Sequence, residues 1–290
     1  MDKIVENKQL DEERALYGIS NTLVRNCKFD GPLDGESAIK ECNNIEVEDC
    51  YFNLRYPFWH VNGATIKASR MTDKCRAALW YDNDITIANC QMYGIKVLRE
   101  CSNIILKNSD VISPECFWRC NDIIINSTSI QSEYPLFESR NVTIDDLKLT
   151  GKYSFQYVEN MTITNSLLDT KDAFWHSKNV TVTDSIVKGE YLGWYSENLK
   201  LVRCKIIGTQ PLCYCKGLIL ENCTMEETDL SFERSEVKAT IKGRIEGVKN
   251  PLKGSITADE IGELLIEEEI VNKNNTTINC SNIIVSKTHE

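Results

Sequence analysis

The sequence predicts an all-β fold, a single-stranded right-handed parallel β-helix (a β-solenoid) of 19-residue turns, about eleven or twelve in number. Three observations predict it. A polar residue recurs at Asn44, Gly63, Asp84, Asn103, Asp122, Asn141, Asn160, Asn179, Asn198, Gly217 and Glu236, with intervals of 19 residues except for one of 21 between Gly63 and Asp84. Apolar residues stand one and three positions past each marker, as in Ile104 and Leu106 or Val180 and Val182. That spacing of two is the strand period. All five tryptophans (Trp59, Trp80, Trp118, Trp175 and Trp194) fall four residues before a marker.

Each column of the turn has a physical reason. Asn, Asp and Gly tolerate the left-handed backbone that a sharp corner between strands requires, and stacked Asn side chains bond from turn to turn. A second small-polar stripe follows five residues on, at Asn26, Asp49, Asn89, Asn108, Asp146, Asn165, Asp184 and Asn222. A stripe of Cys and Ser comes directly after it, as at Cys50, Ser69, Cys90 and Ser109. Glycines at 94, 151, 189 and 208 suggest a third bend, hence three sides. Two more apolar columns complete the expected core. One runs Phe52, Met71, Met92, Val111 and Ile130, and the other Phe58, Leu79, Leu98, Phe117, Leu136, Phe155 and Phe174. A turn of this length is too short for helix plus strand, and the Leu-x-x-Leu-x-Leu pattern of a leucine-rich repeat is absent.

The unbroken period predicts one domain over 1–290. Residues 1–20 read as a cap or first turn, 21–240 as regular turns, and 241–290 as irregular final turns and tail. Within the last segment, residues 259–271 (DEIGELLIEEEIV) read as strands rather than a helix, because Ile256, Ala258 and Ile261 continue the alternation.

Composition narrows the function classes. The chain has 33 basic and 43 acidic residues, for a net charge of −10, which argues against nucleic acid as a partner. No run of about 18 apolar residues exists, so no membrane span is expected. Nine of the thirteen cysteines share two columns with Ser and Thr, one with Cys27, Cys50, Cys90, Cys204 and Cys223 and one with Cys42, Cys101, Cys120 and Cys215, so the cysteines read as small packing residues rather than disulfides or metal ligands. No metal and no cofactor are expected. The start MDKIVENKQLDEE lacks an apolar signal region, and with the free cysteines it suggests a cytoplasmic location.

The candidate functional surface is the tryptophan column and the one beside it. The first reads Trp59, Trp80, Arg99, Trp118, Phe137, Gln156, Trp175, Trp194, Cys213 and Phe232; the second reads His60, Tyr81, Glu100, Arg119, Glu138, Tyr157, His176, Tyr195, Tyr214 and Glu233. Arg99 and Gln156 suit an outward or corner position. Aromatic faces and flanking acids suggest a carbohydrate groove. Glu100, Arg99 and His60 are then the catalytic candidates, and Arg55, Tyr56, Trp59, Arg76, Trp80, Tyr81, Lys96, Trp118, Arg119 and Glu138 the substrate-binding ones. Glu100 and Glu138 lie two turns apart, roughly 10 Å, a separation open to an inverting glycosidase. The cluster around the 21-residue turn, with Arg55, Arg76, Lys96 and Arg99, suggests an acidic ligand. The alternative is an aromatic stripe that serves a scaffold or a homo-oligomer interface.

The segments EERALY, GESAIKE, RYPFWH and RAALWYD, with the Asn-led strand pattern, resemble bacterial proteins of a domain-of-unknown-function family whose members are pectin-lyase-like right-handed β-helices. The resemblance runs from Glu12 to about Ile266. It implies the fold and no particular activity. The polygalacturonase set of Asn-Thr-Asp, Asp-Asp and Gly-His-Gly is missing; Asp145-Asp146 stands without its companions. Fold alone does not give function.

Overall fold

The computed structural model describes residues 1–289, so Glu290, the end of the expected final segment, lies outside the described residues. Two compact units are present, Met1–Lys148 and Leu149–Glu290, each built from the same repeat.

In the first unit the long side of the solenoid is a parallel ladder of Lys3–Glu6, Ser20–Arg25, Asn43–Glu48, Asn62–Lys67, Asn83–Ala88, Ser102–Lys107 and the start of Asn121–Ser132. Register follows the apolar columns, so Ile45, Ala64, Ile85, Ile104 and Ile123 stack in one line. A second side stacks Phe29, Phe52, Met71, Met92, Val111 and Ile130. A third, smaller sheet carries Ile39–Lys40, Phe58–Trp59, Leu79–Trp80, Val97–Arg99, Glu115–Trp118 and Tyr134–Pro135.

The second unit repeats the first two sides. Its long side holds Glu159–Thr164, Lys178–Thr183, Glu197–Val202, Leu218–Glu226, Glu236–Ile241, Lys253–Glu267 and Thr276–His289. Where the first unit has its third sheet, residues 153–157, 172–176 and 190–195 form turns instead. Residues 259–267 are strand, as expected, and 268–271 turn away.

Among the described residues fifteen strands take the long side. Twelve follow from the period counted from Asn21. Three more come from Lys3–Glu6, Lys253–Glu267 and Thr276–His289, which lie outside the regular repeat yet keep its parallel pairing.

The corners form as the residue types dictate. Every marker from Asn21 to Gly217 has positive φ, between 49° and 74°. The second stripe does too, from Asn26 (48°) to Asn222 (55°), including Ala68, Ser127 and Arg203 where no small amide is available. Asn ladders tie neighbouring corners: Asn44 Nδ2 donates to Asn21 Oδ1 at 2.6 Å, Asn179 to Asn160 at 3.1 Å and Asn198 to Asn179 at 3.0 Å. Gly189 (φ 145°) is required by close approach, since a Cβ there would lie 2.2 Å from the Thr170 carbonyl oxygen.

The inward columns are closed to solvent. Phe29, Phe52, Phe58, Phe117, Phe155 and Phe174 are fully buried, each contributing roughly 1.5–3 kcal/mol of burial. Cys and Ser share a column because they make the same bonds. The Sγ of Cys50 donates to the carbonyl two residues earlier at 3.2 Å, and the Oγ of Ser69 does so at 2.8 Å. Ser69 Oγ also accepts the Cys50 amide at 3.1 Å. All thirteen cysteines are free, and all but Cys280 are buried. Burial pushes the Cys50, Cys75 and Cys116 thiols up to about 12, which leaves them inert as nucleophiles.

Candidate functional site

The third side of the first unit places the tryptophan column in register, with Lys40 beside Trp59, Trp59 beside Trp80, Trp80 beside Arg99 and Arg99 beside Trp118. Each of these rings is half-buried at the sheet surface. The column is a continuous stack of cations and rings. Lys40 Nζ lies 4.0 Å from the Trp59 ring centre. Trp59 and Trp80 stack at 5.6 Å, within 11° of parallel. The Arg99 guanidinium carbon sits 5.9 Å from the Trp80 ring and 5.7 Å from Trp118, and Trp118 meets Phe137 at 5.0 Å. This explains an arginine in an aromatic column: two ring faces attract its charge. Its Nε donates to Glu100 at 3.3 Å, and its Nη1 lies 3.9 Å from Glu115.

The adjoining column turns the corner. His60, Tyr81, Glu100, Arg119 and Glu138 all have φ between 53° and 57°. A bulky residue rarely adopts that backbone. The expected glycine bend does exist at Gly94, Gly189 and Gly208, but the sharper corner lies in this functional-group column, which composition alone does not reveal. Corner placement holds the side chains outward, where they stack. His60 lies 5.2 Å from Tyr81. The Glu100 carboxylate beside Tyr81 pushes its phenol above the ordinary range. Arg119 Nε donates to Glu138 at 2.7 Å.

The structure therefore brings together Tyr56, Trp59, His60, Trp80, Tyr81, Arg99 and Glu100, and joins Trp118 to them through Arg99. The two proposed acids are separated by Arg119, and each is engaged: Glu100 by Tyr81 and Arg99, Glu138 by Arg119. Arg55 and Arg76 line a different, shallow cleft of about 490 Å³ with Asp34, Asn53, Asp73 and Lys74, where Arg55 pairs with Asp34 at 3.4 Å and Glu36 at 3.5 Å. Lys96 is half-buried and does not line that cleft.

Three residues escaped the sequence reading. Lys40 stands one turn before Trp59 in the same column, so extending that column backwards finds it. Glu115 lies three residues before Trp118. Asp82 occupies the inward Cys/Ser column and is 1 % exposed. Its Oδ1 accepts the Val61 amide at 2.7 Å and its Oδ2 has no partner. Burial holds its carboxyl well above the usual range, which favours its neutral form.

In the second unit the two columns carry mostly rings and end in Phe232 and Glu233, the latter paired with Lys249 at 3.1 Å. Trp175 and Trp194 stack at 5.5 Å, within 2° of parallel. Outside them Tyr157, His176, Tyr195 and Tyr214 form a ladder with successive spacings of 5.0, 5.1 and 4.9 Å. Tyr157 and Tyr195 are 47 % and 43 % exposed. Because the rings face one another, the ladder offers its edges, hydroxyls and imidazole to solvent.

The indole N–H groups divide the tryptophans. Trp118, Trp175 and Trp194 each donate to the carbonyl sixteen residues on, at 2.8 Å. The Nε1 atoms of Trp59 and Trp80 are buried and have no partner, and neither has Glu115 Oε2. A buried donor without a partner costs about 1–3 kcal/mol. Among the described residues, no three His, Cys, Asp or Glu side chains converge as metal ligands would.

Solved structures that align with this chain share little of its sequence. The crystal structure of PfbA, a surface adhesin of Streptococcus pneumoniae, aligns over 77 % of this chain and 72 % of its own, at 10 % identity and a TM-score of 0.41. A tailspike of the E. coli bacteriophage HK620 aligns over 94 % of this chain and 61 % of its own, at 8 % identity and a TM-score of 0.25. No curated protein matches. The family model described as "Protein of unknown function (DUF3737)" matches residues 3–279, nearly the whole repeat just described, and the chain belongs to that family.

Proposed function

We propose that this protein is a glycan-binding β-helix that receives a linear carbohydrate along its outer ring ladder. The observation that carries the reading is the ladder Tyr157, His176, Tyr195 and Tyr214, with its spacing of 4.9–5.1 Å and its exposed edges. Sugar recognition here runs through ring edges. The faces are consumed by stacking, so phenol hydroxyls and the imidazole supply donors and acceptors at one set per turn. A pyranose chain offers one sugar ring, with its hydroxyls, to each rung. An extended peptide rises roughly 3.3 Å per residue and drifts out of step with such a ladder within a few rungs. In the first unit the same column offers His60, Tyr81, Glu100, Arg119 and Glu138. Their mutual bonds favour binding over acid–base chemistry, because Glu100 and Glu138 are already engaged by neighbouring side chains.

Calorimetric titration with neutral oligosaccharides of increasing length tests this. Affinity rises with length until the ladder is spanned, and Tyr195→Ala weakens it about tenfold, equivalent to about 1.4 kcal/mol. The reading is lost if no oligosaccharide binds saturably to the folded protein. If, in addition, the native mass is a multiple of the monomer and falls on Tyr195→Ala, the ladder is a self-association face instead.

A further inference from the structure

We propose that Trp59 and Trp80, flanked by Lys40 and Arg99, form a carboxylate-binding site closed by Tyr56. The repeat supplies its own control. Five tryptophans share one column; Trp118, Trp175 and Trp194 direct their N–H groups to a carbonyl of the next turn, while Trp59 and Trp80 direct theirs to no protein acceptor. These two also stack on each other across the 21-residue interval between Gly63 and Asp84.

The surrounding chemistry selects the ligand. An indole N–H is a donor only, as are lysine and arginine. Lys40 sits against the outer face of Trp59 at 4.0 Å, and Arg99 against the far face of Trp80 at 5.9 Å. Two unsatisfied donors between two cations call for an anionic acceptor. A carboxylate has two oxygens, one for each ring of a pair stacked 5.6 Å apart. Arg99 is paired through Nε with Glu100 at 3.3 Å, while its Nη1 lies 3.9 Å from Glu115 Oε2 without a hydrogen bond, so its Nη donors remain for a ligand. The Tyr56 ring packs against both indoles, at 6.2 and 6.4 Å. Since both N–H groups are sealed from solvent, an incoming carboxylate displaces that ring.

This extends the glycan reading to sugar acids but does not rest on it, because the residues differ. The test is nitrogen-15 NMR of the five indole N–H groups in the full chain, assigned by single Trp→Phe variants. Sodium glucuronate, glucose and inorganic phosphate are each titrated. Glucuronate is expected to shift the Trp59 and Trp80 signals saturably and to leave Trp175 and Trp194 in place, while glucose moves none. Lys40→Gln weakens the response several-fold, and Tyr56→Ala strengthens it. If Arg99→Gln disturbs folding, Lys40→Gln and Tyr56→Ala decide the matter alone. Silence at Trp59 and Trp80 overturns the proposal. So does an equal shift of all five signals with any of the salts, which marks ionic strength. A neutral oligosaccharide that binds through Tyr195 while glucuronate does nothing leaves the glycan reading standing and removes this site. The converse result removes the glycan reading and keeps the site.

Discussion

The two units run the same repeat and finish their third side differently. In Met1–Lys148 that side is a hydrogen-bonded sheet whose stack includes Lys40 and Arg99, and in this unit Trp59 Nε1, Trp80 Nε1, Asp82 Oδ2 and Glu115 Oε2 are buried without a hydrogen-bond partner. In Leu149–Glu290 it is a set of turns with uniform ring stacks, and both indole N–H groups are satisfied. The difference teaches that inward columns and outward columns obey separate constraints. The inward Phe and Leu positions are equally buried in both units, so the core tolerates either finish. Buried polar atoms without a hydrogen-bond partner gather in the unit that carries the 21-residue interval, and the other unit has Ser177 Oγ.

The largest effect that tests this comparison is in the core. Phe58→Ala and Phe174→Ala remove equally buried rings, and each is expected to cost about 3–5 kcal/mol. Urea denaturation of both variants measures it. Turn-to-turn backbone hydrogen bonds run past both rings, as from the Phe58 amide to the Ala78 carbonyl at 3.0 Å and from the Phe174 amide to the Ser154 carbonyl at 2.9 Å, so a mild loss at Phe58 beside a severe one at Phe174 would mean that strand pairing on the third side carries stability that the turns do not.

An intermediate effect belongs to Asp82. Its folded carboxyl is held well above its unfolded value, near 4. The unfolded chain therefore releases this proton first as pH rises. Stability is lost progressively from about pH 4 up to the folded value, and the full loss persists above it. Asp82→Asn keeps the shape and removes the ionisable group. Its melting temperature is expected to exceed that of the parent by several degrees at about pH 8, and to match it at about pH 4. Thermal melts across that range decide the point; a pH-independent difference would show that Asp82 is not a buried neutral acid.

The smallest effect sharpens the contrast between indoles. Trp175→Phe gives up a hydrogen bond to Tyr191 and strands that carbonyl, for about 1 kcal/mol beyond the lost ring area. Trp80→Phe removes an N–H that has no partner, so the hydrogen-bond part of its cost vanishes or reverses. The two variants compared by chemical denaturation should differ by about that 1 kcal/mol. Equal losses would place a bound acceptor, such as an ordered water, on Trp80.

What the sequence determined by itself is everything that depends on a residue and its own backbone. Asn, Asp and Gly at fixed intervals specify the left-handed corners, and the Φ-x-Φ pairs specify which side chains turn inward. Cys alternates with Ser because both bond the same local carbonyl. Those preferences act within a few residues, so residues 259–267 of the stretch 259–271 read as strand even where the period decays, while 268–271 turn away. The candidate surface was legible as a column, since a strict repeat states which residues are neighbours one turn apart. Tertiary structure alone decided how those neighbours meet. Whether two indoles show their faces to solvent or to each other depends on rotamer and rung spacing, and here stacking consumes the faces. Arg99 became the cation between Trp80 and Trp118, burial favoured the neutral form of Asp82, and the N–H groups of Trp59 and Trp80 lost the carbonyls that their counterparts reach. Each of these outcomes is an orientation across a gap of one turn, and a column of letters carries adjacency but not direction.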